Sequence, residues 1–154
     1  MNIKLVVLFF SLYCLFFVAS VLFPVDYDWY SNLHKPSYTP SGKTIGIIWA
    51  FLYSFISISV CIIISLEESF KKAKWFYIIL IINYLLNQSF SYFQFKQKDL
   101  LLATIDCGFV AITAILLALI AYKPSKTAFI LLIPYSIWSV FATYLNYTIY
   151  VLNS

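Results

Sequence analysis

The sequence predicts an all-α membrane protein: a bundle of five transmembrane helices with a long first loop that contains a short helix. Two observations carry this. Five apolar stretches, at about 5–25, 44–66, 75–95, 100–122 and 127–152, make up most of the chain, and Asp106 is the one charged residue inside them. A hydrocarbon core about 30 Å thick needs roughly 20 helical residues, and each stretch meets that length. In lipid the backbone must satisfy its own hydrogen bonds, which makes such stretches helical. The second observation is composition. Of 154 residues 63% are hydrophobic and 10% charged, with a mean hydropathy of +0.91. That excludes an ordinary soluble domain and leaves room for one membrane domain, residues 1–154.

The first stretch begins after Lys4 and passes through Val18-Ala19-Ser20 in the manner of a signal peptide. It continues to Val25 at spanning length, so it reads as the first helix. The segment from Pro24 to Lys43 is the long loop. Pro24, Pro36, Pro40 and Gly42 punctuate it, and Asp28 is the expected cap of a short helix running through His34. Its aromatics, Trp29, Tyr30 and Tyr38, suggest a lid over the helix ends or an interfacial belt. The remaining loops, 67–74, 96–99 and 123–126, are short and force neighbouring helices to be antiparallel. Six lysines fall on the N-terminal side and four on the other, which favours a cytoplasmic N-terminus.

Small residues mark two expected packing seams. On the fourth helix Ala103, Cys107, Ala111, Ala114, Ala118 and Ala121 form one stripe. On the second, Gly46, Ala50, Ser54, Ser57, Cys61 and Ser65 repeat the device. Membrane helices associate by close backbone approach, which small residues allow. The third helix carries a polar face of Asn83, Asn87, Ser91 and Gln94, expected either to glue helices or to contact a ligand. Asp106 should turn toward the bundle, for a structural hydrogen bond or a proton or ligand role.

The charged groups exclude several functions. All ten basic residues are lysines in loops, and no basic face suited to nucleic acid exists. Cys14, Cys61 and Cys107 fall in separate spans, and His34 is the single histidine, so neither a disulfide framework nor a metal site is expected. No nucleophile–base pair suggests hydrolysis. Trp49 with Tyr53, and Trp138 with Ala142, place indoles on two helix faces. Such faces pack a core or, with the amide face, line an apolar ligand pocket.

The order of residues resembles the TspO/MBR family of translocator and tryptophan-rich sensory proteins, most closely its short bacterial members. The matching segments are Trp29-Tyr30, Lys35 through Pro40, Gly46 through Trp49 and Leu52-Tyr53-Ser54. Further on come Leu86 through Ser91, Ala103 through Asp106, Leu132 through Trp138 and Phe141 through Asn146. Three departures stand beside them. Tyr38-Thr39-Pro40-Ser41 replaces the common Trp-x-Pro-Pro, Phe90 stands where Trp is frequent, and nothing basic follows Lys126 to complete the sterol motif.

The resemblance implies a homodimeric five-helix bundle in the lipid bilayer of a bacterial cell membrane. It implies binding of porphyrins such as protoporphyrin IX, and of isoquinoline and benzodiazepine-type ligands. It implies a site of Tyr30, Pro40, Ile45, Trp49, Tyr53, Asn87, Phe90, Cys107, Trp138 and Ala142. Trp49 and Trp138 would be the catalytic pair if the chain promotes light- and oxygen-dependent porphyrin degradation. No cofactor is expected beyond the porphyrin itself, as ligand or substrate. The rival expectations are a tetrapyrrole or lipid sensor or transporter without chemistry, and a structural membrane subunit. Against transport, the sequence displays no discontinuous helix or inverted repeat.

Overall fold

The computed structural model describes residues 3–66 and 73–154. Helix α1 is Ile3–Phe16, α2 Val18–Leu22, α3 Tyr27–Asn32 and α4 Gly42–Leu66. Helix α5 is Lys74–Ser91 and runs on as a π-helix over Tyr92–Gln97; α6 is Leu100–Tyr122 and α7 Lys126–Asn153. Five spans result: Ile3–Leu22, Gly42–Leu66, Lys74–Gln97, Leu100–Tyr122 and Lys126–Asn153. Each lies within a few residues of its expected bounds. Most of the expected loop 67–74, with Lys71 and Lys72, falls outside the described residues.

Helix α6 is the hub, packed against α5 on one side and α7 on the other. Its stripe from Ala103 to Ala121 is buried throughout, as a seam requires. The α4 stripe behaves differently. Gly46 and Ser65 are exposed, and a Cβ built on Gly46 meets nothing within 4 Å. Of the six, Ser57 alone is buried, and α4 instead meets its neighbours through Leu52, Ile56, Ser59, Val60 and Ile63. The stripe lies on one face of α4, but that face is only partly buried, and the larger residues of another face make most of the packing. Ser59 donates to the Ala128 carbonyl, 3.3 Å away, and joins α4 to α7.

The first span is broken, which corrects the expectation of continuous helices. Phe17 takes φ −90°, ψ −3° and its N–H turns back to the Cys14 carbonyl, 3.0 Å away. Before the break α1 packs mainly on α4 and touches α5 at its end; after it, α2 packs on α5. The change of partner closes the bundle into the ring α6, α7, α4, α1–α2, α5.

The long loop is tied down at both rims. Asp26, not Asp28, caps the short helix: its carboxylate accepts the Trp29 N–H at 3.0 Å. Asp26 also pairs with Lys98 at 2.8 Å, and that pairing holds its carboxyl below the ordinary value of 3.8. Lys98 ends the π-helix in the left-handed region, φ 58°, and lies over the Trp29 ring. At the other rim, Asn153 clasps the His34 backbone. It accepts the His34 N–H at 2.9 Å and donates to the His34 carbonyl at 2.8 Å. The 28 residues of α7 extend about 42 Å at 1.5 Å per residue, well beyond the hydrocarbon thickness, and so reach the loop.

Candidate functional site

Asn83 and Asn87 are buried on the face of α5 that looks into the ring. Asn83 is almost fully satisfied. Its Nδ2 donates to Thr113 Oγ1 at 2.8 Å and to the Val110 carbonyl at 3.2 Å, and its Oδ1 accepts the Tyr135 hydroxyl at 2.8 Å. One amide thus joins α5, α6 and α7. Asn87, one turn on, accepts the Tyr53 hydroxyl of α4 at 3.0 Å. Trp49 stands between the two tyrosines, its ring centroid 5.4 Å from Tyr53 and 6.2 Å edge-on from Tyr135. Such edge-on pairs suit the ring quadrupoles.

The other walls come from the end of α1 and the break after it, from α6 and from α7. Phe16 stacks on Tyr53 at 4.8 Å and Phe17 meets the same ring edge-on at 5.2 Å. Cys107 of α6 lies beside Thr143 and Tyr135. Trp138, one turn past Tyr135, packs on the core, and its Nε1 is buried without an acceptor among the described residues. Ser89 donates to one Asp106 oxygen at 2.8 Å, the helix-to-helix bond expected of a carboxylate in a bundle.

In this arrangement rings of the first span, α4 and α7 converge on Tyr53 and Trp49. Two concavities lie elsewhere. One of about 670 Å³ runs between α1, α4 and the start of α7, past Phe9, Ile58, Cys61 and Thr127. One of about 370 Å³ lies at the loop end, beside Lys98 and Asn153. None of the expected site residues lines either of them.

The five spans, the aromatic loop and the amide-faced third span were expected from hydropathy and residue spacing, and the resemblance implied the same five-helix bundle. A model of the TspO/MBR family matches residues 6–152. The chain belongs to the TspO/MBR family. It is similar to "Uncharacterized membrane protein YtaB" of Bacillus subtilis, 57% identical over 92% of this chain and 90% of that protein. It is similar to "Tryptophan-rich protein TspO" of Bacillus cereus, 53% identical over 96% of this chain and 95% of that one. The human "Translocator protein" is 28% identical over 79% of this chain and 73% of its own length. With the five spans, these make the chain an integral bacterial membrane protein of TspO/MBR type.

Among the residues expected of a TspO/MBR site, Trp49, Tyr53 and Asn87 are in direct contact. Ile45 precedes Trp49 by one turn, and Ala142 follows Trp138 by one turn; both are half-buried, as is Phe90. Tyr30 and Pro40 are in the loop. Tyr30 packs on Phe95 at 6.3 Å, under the Lys35 ammonium, and burial pushes its hydroxyl pKa up. Sequence reasoning missed Tyr135, Asn83's partner, and Phe16 and Phe17. The signal for Tyr135 was present: residues 135, 138 and 142 share one helical face. For Phe16 and Phe17 no signal existed in the first span.

Proposed function

We propose that this chain binds a tetrapyrrole such as protoporphyrin IX inside the bundle, under the first loop, and promotes its breakdown in light and oxygen. One observation carries the reading: the Trp49 indole lies between two tyrosines whose hydroxyls are fixed by Asn83 and Asn87. That is a mostly apolar, aromatic lining with few oriented polar groups, the usual chemistry of a site for a flat ligand. Indole and phenol faces stack on such a ring. The free Trp138 N–H offers a donor to it. Lys35 is engaged with the carbonyls of Tyr30, Ser31 and Leu33, so His34 and Lys43 are left to meet the ring carboxylates.

Trp49 and Trp138 act in this reading as oxidisable neighbours of the excited ring. Holding an indole against it is a contribution of proximity. Isoquinoline and benzodiazepine-type ligands would use the same lining, and the homodimer belongs to the same reading. The test is porphyrin absorbance with and without light, protein and oxygen, beside a detergent control. Loss that needs light, oxygen and protein together supports chemistry. Binding without loss supports a sensor or carrier, which the broken first span favours.

A further inference from the structure

The break at Phe17 contains neither glycine nor proline, the usual causes of a sharp interruption. In an unbroken helix the Ala19 N–H would bond to the Leu15 carbonyl and the Ser20 N–H to that of Phe16. Side chains of α5 take up three of the four groups so released, the Ala19 N–H and the Leu15 and Phe16 carbonyls. Gln88 Oε1 accepts the Ala19 N–H at 2.8 Å, and Gln88 Nε2 donates to the Phe16 carbonyl at 3.4 Å. Tyr84 donates its hydroxyl to the Leu15 carbonyl at 3.3 Å. A primary amide is suited to this position because it donates and accepts at once. Within lipid an unsatisfied backbone group is costly, so the break exists only while such partners are held.

The segment beyond the break is lightly held. In α2 Ala19 is buried, whereas Val18, Val21 and Leu22 face outward at 38%, 76% and 63% exposure. Its helical neighbour across the ring is α5. Its far end passes through Pro24 to Asp26, which Lys98 anchors. The residues at the break, Phe16 and Phe17, are the rings packed on Tyr53. Displacing Tyr53 therefore presses directly on the break.

We propose that Gln88 is a positioning residue that latches Val18–Leu22 against α5, and that release of this strap opens a lateral entrance from the bilayer to the Trp49–Tyr53 site. This rests on the reading that an apolar ligand occupies that site. The strap moves by exchanging its side-chain bonds, while the helical bonds of α4, α6 and α7 stay intact.

The test compares the full-length parent, Gln88→Leu and Tyr84→Phe in lipid nanodiscs. Without ligand, amide exchange is measured over 17–23 and, as a control, over 111–121. With protoporphyrin IX, stopped-flow tryptophan quenching gives association and dissociation rates. Losing two hydrogen bonds of ordinary net strength should speed strap exchange about tenfold in Gln88→Leu. Both ligand rates should rise several-fold, with Kd changed by less than about twofold, because the strap is a barrier common to entry and exit. Tyr84→Phe should move the same readouts less and covers the case in which Gln88→Leu fails to assemble. Unchanged strap exchange overturns the latch, whatever the porphyrin does. Faster exchange with unchanged ligand rates overturns the entrance. Faster exchange in a protein whose parent takes up no porphyrin overturns the entrance together with the ligand reading.

Discussion

Asn83 allows the clearest energetic test of how the bundle is held. Asn83→Leu keeps the number and branching of the side-chain heavy atoms and removes three hydrogen bonds. The losses are unequal. Thr113 Oγ1 keeps its own bond to the Phe109 carbonyl, 2.8 Å, and the Val110 carbonyl still faces Thr113 at 3.1 Å. The Tyr135 hydroxyl, fully buried, loses its acceptor. An orphaned buried donor costs about 1–3 kcal/mol, whereas interhelical hydrogen bonds in membranes average about 0.6 kcal/mol. Asn83→Leu should therefore cost about 2 kcal/mol. Tyr135→Phe removes the orphan in advance and should cost about 1 kcal/mol, within the ordinary range for one bond. The double variant should cost about 2 kcal/mol rather than the sum of about 3, a coupling near 1 kcal/mol. Reversible unfolding in mixed detergent, followed by circular dichroism, measures all four proteins. Additivity within about 0.3 kcal/mol would refute the claim that this hydroxyl is the energetic centre of the network.

Other outcomes follow from the same geometry. Trp49→Phe and Trp138→Phe should each retain protoporphyrin IX binding and slow its light-dependent loss; a double variant at the parental rate would reduce the protein to a container for photobleaching. Ala114→Leu should destabilise by about 1–3 kcal/mol through overpacking of the α6 seam, while Gly46→Leu, with open space around its Cβ, should leave detergent thermostability unchanged. The depressed Asp26 carboxyl fixes a pH sign: its contribution is complete above the ordinary value of 3.8 and is lost as pH falls through the lower folded value. Protection of the Trp29 amide should therefore be flat from about pH 5 to 8 and fall only below about 4, and Asp26→Asn, which still caps the helix, should remove that acid step.

The five spans were legible because lipid fixes both helix and length, and periodicity then placed Asn83 and Asn87 on one face. The α6 seam was legible for the same reason. The α4 seam was not, because its small-residue stripe is real but spacing does not say which way it faces, and α4 buries mainly the face of Leu52, Ile56, Ser59 and Ile63. Asp28 was the expected cap because it precedes the aromatic turn closely; Asp26 takes the role because Lys98 fixes its carboxylate. The break at Phe17 was invisible for a deeper reason. Nothing local at Phe16–Val18 disfavours a helix, and its cause is the amide of Gln88, on another span. At that break Phe16 and Phe17 both pack on Tyr53, so the lining of the site depends on it.

The fastening of the loop bears on which concentration governs the rate of loading. On the aqueous side Asn153, Lys98 and the triply bonded Lys35 all secure the cover. Toward the bilayer the strap is held by Gln88 and Tyr84 at the break and by the Phe23–Tyr92 ring contact beyond it. A ligand that enters there is drawn from the membrane phase, so its concentration in the lipid sets the rate of association. At fixed ligand, added lipid would dilute it and slow loading, and two laboratories using different lipid-to-protein ratios would measure different association rates on the same protein.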